Sequence, residues 1–191
     1  QDQRLVSRCS TCGVAGSGVT TTQSRPIADF TSVSAADGLR LEISRGPTSL
    51  TIEGDDNLLP LIKTEVVDGR LIIRKTTREP LRATRPIVLR LTTPALSRLE
   101  ASGGTDVLLA DAAAPRFSAD LSGGVDFEAR GLDVESFELH ASGGVAVKAS
   151  GIVKAAQLTL SGGADVDGRQ LKVTHVAVDA SGGSDVELTA L

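Results

Sequence analysis

Apolar and polar residues alternate over short segments along most of this chain, which predicts β-strands because successive side chains of a strand point to opposite faces. Turn residues such as Asp37-Gly38, Gly46-Pro47 and Asp68-Gly69 separate these segments. Residues 1–24 are rich in Gly, Ser and Thr without sustained alternation, so they are predicted to form a flexible leader. The pattern therefore predicts an all-β protein.

A repeat becomes regular in the second half of the chain, where the tripeptide Ser-Gly-Gly recurs at spacings of 20, 20, 19 and 20 residues. A period of about 20 residues with strand-like alternation is typical of one coil of a parallel β-solenoid. We therefore predict irregular coils over residues 25–100 and regular coils over residues 101–191, in one continuous domain. The repeated serines are Ser102, Ser122, Ser142, Ser161 and Ser181.

Positions two residues apart in each coil share a face, so the apolar ones are predicted to stack inward. The glycine pair at each corner is interpreted as structural, because a sharp turn needs backbone angles that a Cβ disfavours. A third inward side is predicted from Leu132, Ile152 and Leu171. The two main inward ladders are Val107, Phe127, Val147, Val166 and Val186 after the corner, and Leu121, Ala141, Leu160 and Ala180 before it.

Charged residues occupy most of the outward positions that flank the ladder of Val107. Stacked carboxylates about 4.8 Å apart repel by about 1 kcal/mol in water, so Ala146 and Lys148 on the middle coil relieve some repulsion. This acidic ladder face is the candidate interaction surface, or alternatively a solvated face that keeps the solenoid soluble. Its members are Asp106, Asp126, Glu128, Lys148, Asp165, Asp167, Asp185 and Glu187.

Calcium is the one metal that this face suggests, because two stacked carboxylates can share a cation that prefers oxygen ligands. The weak candidates are Asp106 with Asp126, and Asp165 with Asp185. Calcium-binding solenoids of the nonapeptide type place ligands in every half-coil, whereas here a glycine pair occurs once in about 20 residues. We therefore predict no cofactor and no metal site, with calcium as the alternative.

The composition predicts a narrow core and limits the possible binding partners. Hydrophobic residues make up 40% of the chain but aromatic residues only 2%, with no Trp or Tyr, so Val, Leu, Ile and Ala must form the interior. The net charge of -4 and the lack of a basic patch exclude a nucleic-acid partner. No apolar run approaches the ~18 residues of a transmembrane helix.

The first residue is Gln1 and the chain contains no Met, which indicates a processed N-terminus. Removal of a signal peptide would make this an exported protein, in the periplasm, on the outer-membrane surface or outside the cell, although a trimmed chain would look the same. Cys9 and Cys12 are then expected in a flexible tail or a small local disulfide. A zinc site would need a second ligand pair, and a redox motif a strand-to-helix junction.

Paired carboxylates also suggest a glycosidase or a polysaccharide lyase. A sugar cleft normally offers aromatic platforms, but three of the four Phe residues lie at inward repeat positions, and His140 and His175 stand singly on outward positions. We therefore predict no catalytic residues and no enzyme. The alternative is a groove in the first half that brings Asp55, Asp56 or Glu79 close to the acidic ladder face.

Five motifs carry a family resemblance: Gly16-Ser17-Gly18, the segment Ile27–Val33, the segment Leu50–Pro60 with its Asp55-Asp56-Asn57-Leu58-Leu59-Pro60 stretch, the segment Gly69–Arg74, and the Ser-Gly-Gly-x-Asp-Val coils. Over residues 14–191 the chain resembles the putative auto-transporter adhesin head GIN domain family. The resemblance implies a bacterial, exported, single-stranded right-handed parallel β-helix, with a proposed adhesive role and no catalytic residues.

The expected function is accordingly a non-enzymatic cell-envelope module for adhesion, bound to a protein or a surface polysaccharide. Leu191 follows almost directly on the fifth Ser-Gly-Gly coil. The last coil is therefore expected to be open, and an open coil favours docking against another subunit as a homo-oligomer.

Overall fold

A computed structural model describes residues 13–191, without the side chain of Ala190, and these residues form β-strands and one 3-10 turn at Leu59–Leu61 but no α-helix. Cys9 and Cys12 lie outside the described residues. The strands are β1 Val14–Ala15, β2 Thr20–Ser24, β3 Ser32–Ala35, β4 Arg40–Arg45, β5 Ser49–Asp55, β6 Ile62–Val67, β7 Arg70–Lys75, β8 Leu81–Arg82, β9 Val88–Thr93, β10 Arg98–Ser102, β11 Asp106–Ala110, β12 Ala113–Ser122, β13 Asp126–Gly143, β14 Ala146–Gly162, β15 Asp165–Gly182 and β16 Asp185–Ala190.

Parallel strands from successive coils form two long faces that meet at the Ser-Gly-Gly corner. The first face precedes the corner and contains β3, β10, β12 and the second halves of β13, β14 and β15. The second face follows the corner and contains β4, β11, the first halves of β13, β14 and β15, and β16. This arrangement confirms the predicted β-solenoid, with about 5 turns of ~20 residues.

The first coils do not stack in chain order. Strands β7 and β9 pair with one edge of β3 and β4, whereas β10 and β11 pair with the other edge. Antiparallel β6 covers β7, and antiparallel β5 and β2 cover β9 in turn. This end of the solenoid is therefore closed by antiparallel strands, which satisfy backbone groups that an outermost coil would otherwise expose.

The predicted inward ladders form the core. Val107, Phe127, Val147 and Val166 are buried, and Val186 is partly buried on β16. Three phenylalanines stack within the core, with ring centroids 6.4 Å apart for Phe117 and Phe127 and 5.9 Å apart for Phe117 and Phe137. Leu121, Ala141 and Leu160 are likewise buried, whereas Ala180 is exposed.

The predicted third side was wrong at one position. Ile152 is 57% exposed and aligns with Asp133 and Lys172, while Val153 takes the inward position beside Val134 and Val173. The coil from Ser142 to Ser161 is one residue shorter than its neighbours, and the missing residue falls just before Gly151. A shift of one residue moves a strand's side chains to the opposite face. Aligning Gly151-Ile152 with Gly131-Leu132 therefore placed Ile152 inward in the prediction.

Glycine is required at two kinds of position in the regular coils. The first glycine of a corner pair has a positive φ, +92° at Gly143, and an added Cβ would lie 3.1 Å from the Gly123 carbonyl oxygen. Gly151 has φ +132°, and its Cβ would lie 2.1 Å from the Leu132 oxygen. The second glycine of the corner pair, Gly144, has open space around its Cβ position.

Val147→Asp should prevent folding, because it places a charge in an apolar interior where no partner can neutralise it. The matched control is Ala146→Asp, which introduces the same residue one position earlier on the outer face. Circular dichroism should show a cooperative melt for Ala146→Asp and none for Val147→Asp. Equal melts for both variants would contradict the inward assignment.

A second pair of variants distinguishes the first glycine of a corner from the second. Gly143→Ala should lower the free energy of unfolding by about 1–3 kcal/mol, because alanine is strained at positive φ and crowds the preceding coil. Gly144→Ala should change it little. Urea unfolding of both variants measures the difference, and equal stabilities would refute the stated requirement.

Candidate functional site

All eight predicted residues of the acidic ladder face lie on the outer side of the second face. Register between coils arranges them in two columns. The first column, in stacking order, is Arg40, Asp106, Asp126, Ala146, Asp165 and Asp185, and the second is Glu42, Leu108, Glu128, Lys148, Asp167 and Glu187.

Arginines neutralise most of the second column. Arg130 lies 2.7 Å from Glu128, and Arg169 lies 2.6 Å from Asp167 and 3.2 Å from Glu187. Hydrogen bonds from the Arg169 side chain and backbone are the main reason that the pKa of Asp167 falls to about 2. Neither arginine was predicted as part of this face, although each lies two residues after a carboxylate and hence on the same side of its strand.

The first column contains the unpaired carboxylates. Within residues 13–191, the structure shows no ion pair and no side-chain hydrogen bond for the four members that we call the aspartate column. Their backbone N–H groups are used in the solenoid, as in the 2.9 Å bond from Asp185 N to the Ala164 oxygen. The aspartate column consists of Asp106, Asp126, Asp165 and Asp185.

Lys148 divides the acidic ladder face into two shallow concavities. One has a volume of about 420 Å³ and includes Asp106 and Asp126 in its lining. The other has a volume of about 700 Å³ and includes Asp165 and Asp185. Lys148 lines both, and its charge also contributes to the lowered pKa of Asp167. The two pairs of aspartates therefore line separate concavities that share Lys148, and Arg40 and Arg130 also line the first and Arg169 the second.

The suggested calcium pairs are adjacent in the stack, as the register of Asp106 with Asp126 and of Asp165 with Asp185 shows. In the part of the chain that the structure describes, no group of three or more His, Cys, Asp or Glu side chains is placed to hold a metal ion. Each calcium pair would therefore have to draw its remaining ligands from water or from backbone and uncharged side-chain oxygens.

Two of the motifs behind the family resemblance bind each other. Ser17 donates its backbone N–H to Asn57 Oδ1 at 2.9 Å, and its hydroxyl hydrogen-bonds to Asp56. Asn57 Nδ2 returns a 2.8 Å hydrogen bond to the Ala15 carbonyl. This N-terminal clamp holds residues 15–18 beside the end of β5. Residues 13–24 of the predicted leader thus contribute β1 and β2, while residues 1–12 lie outside the described part.

Asp55 is the central residue of the N-terminal clamp. Only 2% of it is exposed, and its carboxylate accepts hydrogen bonds from Thr84 Oγ1 at 2.7 Å, Thr84 N at 2.8 Å and Gly18 N at 2.9 Å. The bonds from Thr84 are the main cause of its lowered pKa. A Cβ on Gly16 would lie 2.3 Å from Asp55 Oδ2, so glycine is needed there. Asp55 and Asp56 therefore both serve the N-terminal clamp.

A further concavity, which the sequence did not predict, lies on the outer side of the first face. It has a volume of about 600 Å³, and its lining includes Arg98, Asp120, His140 and the serines of four corners. His140 aligns with Asp120 and Thr159 on the neighbouring coils. His140 and His175 are both exposed, as predicted. Glu79 lies in the segment that precedes β8, outside the strands of both faces.

A family model supports the resemblance seen in the sequence. The model described as "Putative auto-transporter adhesin, head GIN domain" matches residues 29–191. No curated protein sequence matches the chain. No helix within residues 13–191 is long and apolar enough to cross a membrane.

Three solved structures share the fold. A putative adhesin from Bacteroides fragilis is 22% identical, with a TM-score of 0.79 over 93% of this chain and 84% of that chain. A putative lipid binding protein from Parabacteroides distasonis is 13% identical, with a TM-score of 0.66 over 93% and 94% of the two chains. A putative adhesin from the same organism is 18% identical, with a TM-score of 0.65 over 93% and 84%. These likenesses show the fold alone.

Asp55→Asn should lower the melting temperature at pH 7 by several degrees, because an amide cannot accept all three of the hydrogen bonds. The pKa of Asp55 is lowered on folding, so its carboxylate stabilises the fold above the unfolded-state pKa. This contribution is lost as the pH falls through the folded-state pKa.

The difference in melting temperature between wild type and Asp55→Asn should therefore shrink in acid. Glu79→Gln, which makes the same change of charge in an exposed residue, is the control and should melt like wild type. A difference that stays constant down to strongly acidic pH would show that the carboxylate charge does not stabilise the N-terminal clamp.

Proposed function

The chain belongs to the family described as "Putative auto-transporter adhesin, head GIN domain", and from this premise we propose that it is a non-catalytic, exported binding module of the cell envelope. The acidic ladder face is its binding surface. The partner is a protein segment that carries lysine or arginine side chains, and the aspartate column receives those cations.

The observation that carries this proposal is the contrast between the two columns. Glu128, Asp167 and Glu187 have arginine partners, whereas the four carboxylates of the aspartate column have none within residues 13–191. Regular register holds these carboxylates at the spacing of adjacent coils, where they repel each other. A cationic partner relieves that repulsion, so binding and local electrostatics favour the same complex.

The shape of the surface supports binding more than catalysis. Carboxylate pairs in glycosidases keep one group protonated in a protected site. The aspartates here are exposed beside shallow concavities. A rigid, flat sheet that presents repeated charges is better suited to an extended partner, because no loop must be ordered on binding.

Lipid binding, which the name of one structural neighbour mentions, has less support in this chain. Phe117, Leu139 and Leu158 lie in the interior and are each at most 1% exposed. An acyl chain between the faces would have to displace these packed side chains.

Charge neutralisation tests the proposal. A quadruple variant with Asp106→Asn, Asp126→Asn, Asp165→Asn and Asp185→Asn should bind a lysine-rich peptide at least about tenfold more weakly than wild type, with a reduced salt dependence. The control variant carries Asp68→Asn, Glu79→Gln, Asp133→Asn and Glu138→Gln. It has the same net charge but leaves the aspartate column intact, so it should bind like wild type.

The same variants should be compared on immobilised matrix proteins and on purified bacterial surface polysaccharides. If binding were weakened equally in the quadruple and control variants, only the net charge would matter, and this would contradict the proposal. Wild-type binding to a neutral polysaccharide alone would also contradict it. Thermal melts in EDTA and in millimolar calcium test the alternative of a calcium site. A melting temperature that rises by several degrees in calcium, with the rise lost in Asp126→Asn and Asp165→Asn, would identify a calcium site instead.

A further inference from the structure

A concavity with several cations lies on the second face, at the side of the acidic ladder face that is farther from the Ser-Gly-Gly corner. It has a volume of about 390 Å³, and its charged lining consists of three cations from three successive coils and two carboxylates. We call this concavity the arginine hollow, and its lining includes Glu128, Arg130, Lys148, Ser150, Asp167 and Arg169. The sign of the charge therefore reverses at this side of an otherwise acidic surface.

The short coil that contains β14 explains why two arginines meet here. Where this coil has the single residue Ser150, the coil before it has two consecutive exposed residues, Arg130-Gly131, and the coil after it has Arg169-Gln170. The register against β14 shifts at both places. An irregularity of this kind redirects side chains. The two arginines therefore stand at the two register shifts that accommodate the short coil, on either side of Ser150.

The three cations keep hydrogen-bond donors that the fold does not use. Arg130 donates through Nε to Glu128 at 2.7 Å, and its Nη1 and Nη2 groups have no hydrogen-bond acceptor within residues 13–191. Arg169 uses Nε and Nη2 on Asp167, which leaves Nη1. Lys148 has neither an ion pair nor a hydrogen bond in the described part of the chain. The arginine hollow thus offers the charged donors that bind a carboxylate.

We propose that the arginine hollow binds a carboxylate of the same protein segment whose lysine or arginine the aspartate column receives, a proposal that rests on the proposed function of that column. The partner is then a segment of mixed charge. Its cation lies against unpaired aspartates, and its carboxylate lies against guanidinium and ammonium groups with unused donors. Each charge is repelled by the site of its own sign, so the two sites together fix the direction in which the segment lies.

The distance between the two sites sets the spacing of the two charges in the partner. Ala146 on β14 lies between Asp126 and Asp165 of the aspartate column. Ser150 lies four residues later on the same strand, in the arginine hollow. Four residues of extended chain cover ~13 Å, and residues four apart in a strand point to the same side. An extended partner that runs along β14 therefore presents its lysine and its glutamate four residues apart.

Three Ser/Thr-based peptides of equal length, with blocked termini, test this spacing. In the spaced peptide each lysine lies four residues from a glutamate, in the adjacent peptide the same residues lie side by side, and in the lysine-only peptide glutamine replaces glutamate. Neighbouring residues of an extended chain point to opposite sides, so the adjacent peptide cannot use both sites. In titration calorimetry the wild type should bind the spaced peptide at least about threefold more tightly than the adjacent one. Equal affinities would overturn the proposal.

Loss of the two arginines should abolish this preference. The double variant Arg130→Gln with Arg169→Gln should bind the spaced and adjacent peptides equally, and the lysine-only peptide at least as tightly as wild type, because the surface becomes more acidic. The control, Arg78→Gln with Arg85→Gln, removes the same charge from exposed residues outside the strands of both faces and should keep the preference. A preference that survives in the first variant, or that the control also loses, would refute the site.

Lys148→Gln is a second variant, which leaves both arginine–carboxylate pairs intact. It should reduce the preference for the spaced peptide, because one of the three cations is removed while the ion pairs of Arg130 and Arg169 remain. An unchanged preference would contradict a site built from three cations.

The quadruple aspartate variant separates this proposal from the one on which it rests. It should bind both the lysine-only and the spaced peptide more weakly than wild type. If it binds the lysine-only peptide like wild type, the proposed function of the aspartate column fails. If its binding is weakened but the wild type does not distinguish the spaced from the adjacent peptide, the aspartate column stands and the arginine hollow fails.

Discussion

Backbone hydrogen bonding between coils in constant register is the constraint on which the rest of this structure depends. Each coil of the regular part receives hydrogen bonds from the next along nearly its whole length, so its corners must fall at matching places. This requirement explains why Ser-Gly-Gly aligns with Ser-Gly-Gly from Ser102 to Ser181. It also explains why the 19-residue coil loses its residue at the corner beside Gly151, where glycine can absorb the distortion.

Constant register brings similar residues together on the inside and on the outside, with opposite consequences. On the inside, stacking is favourable, because apolar side chains such as Val147 and Val166 gain dispersion contacts from their neighbours in the ladder. On the outside, stacking places carboxylate beside carboxylate. Arg130 and Arg169 offset this repulsion in the second column. The four aspartates of the first column have no ion-pair partner within residues 13–191, and that imbalance is the physical basis of the proposed binding surface.

One end of the solenoid is closed by antiparallel strands. Between β4 and β10 the chain adds the parallel strands β7 and β9 and the antiparallel strands β5 and β6 that cover them, and the N-terminal clamp around Asp55 fastens the first described residues to that cover.

The local sequence pattern was sufficient to predict much of this structure. A repeat of about 20 residues gives the coil length, and the alternation of a strand gives both the inward ladder of Val107 and the shared side of the eight acidic-ladder residues. The family could likewise be recognised from its motifs. Tertiary structure alone decided the outward position of Ile152, the altered order of the first coils, the pairing of Asp55 with Thr84 and Gly18, and the arginine partners of the second column. These features depend on which distant segments pair and in what register. Backbone hydrogen bonds form equally well in neighbouring registers, so the local sequence does not show which of them the chain adopts.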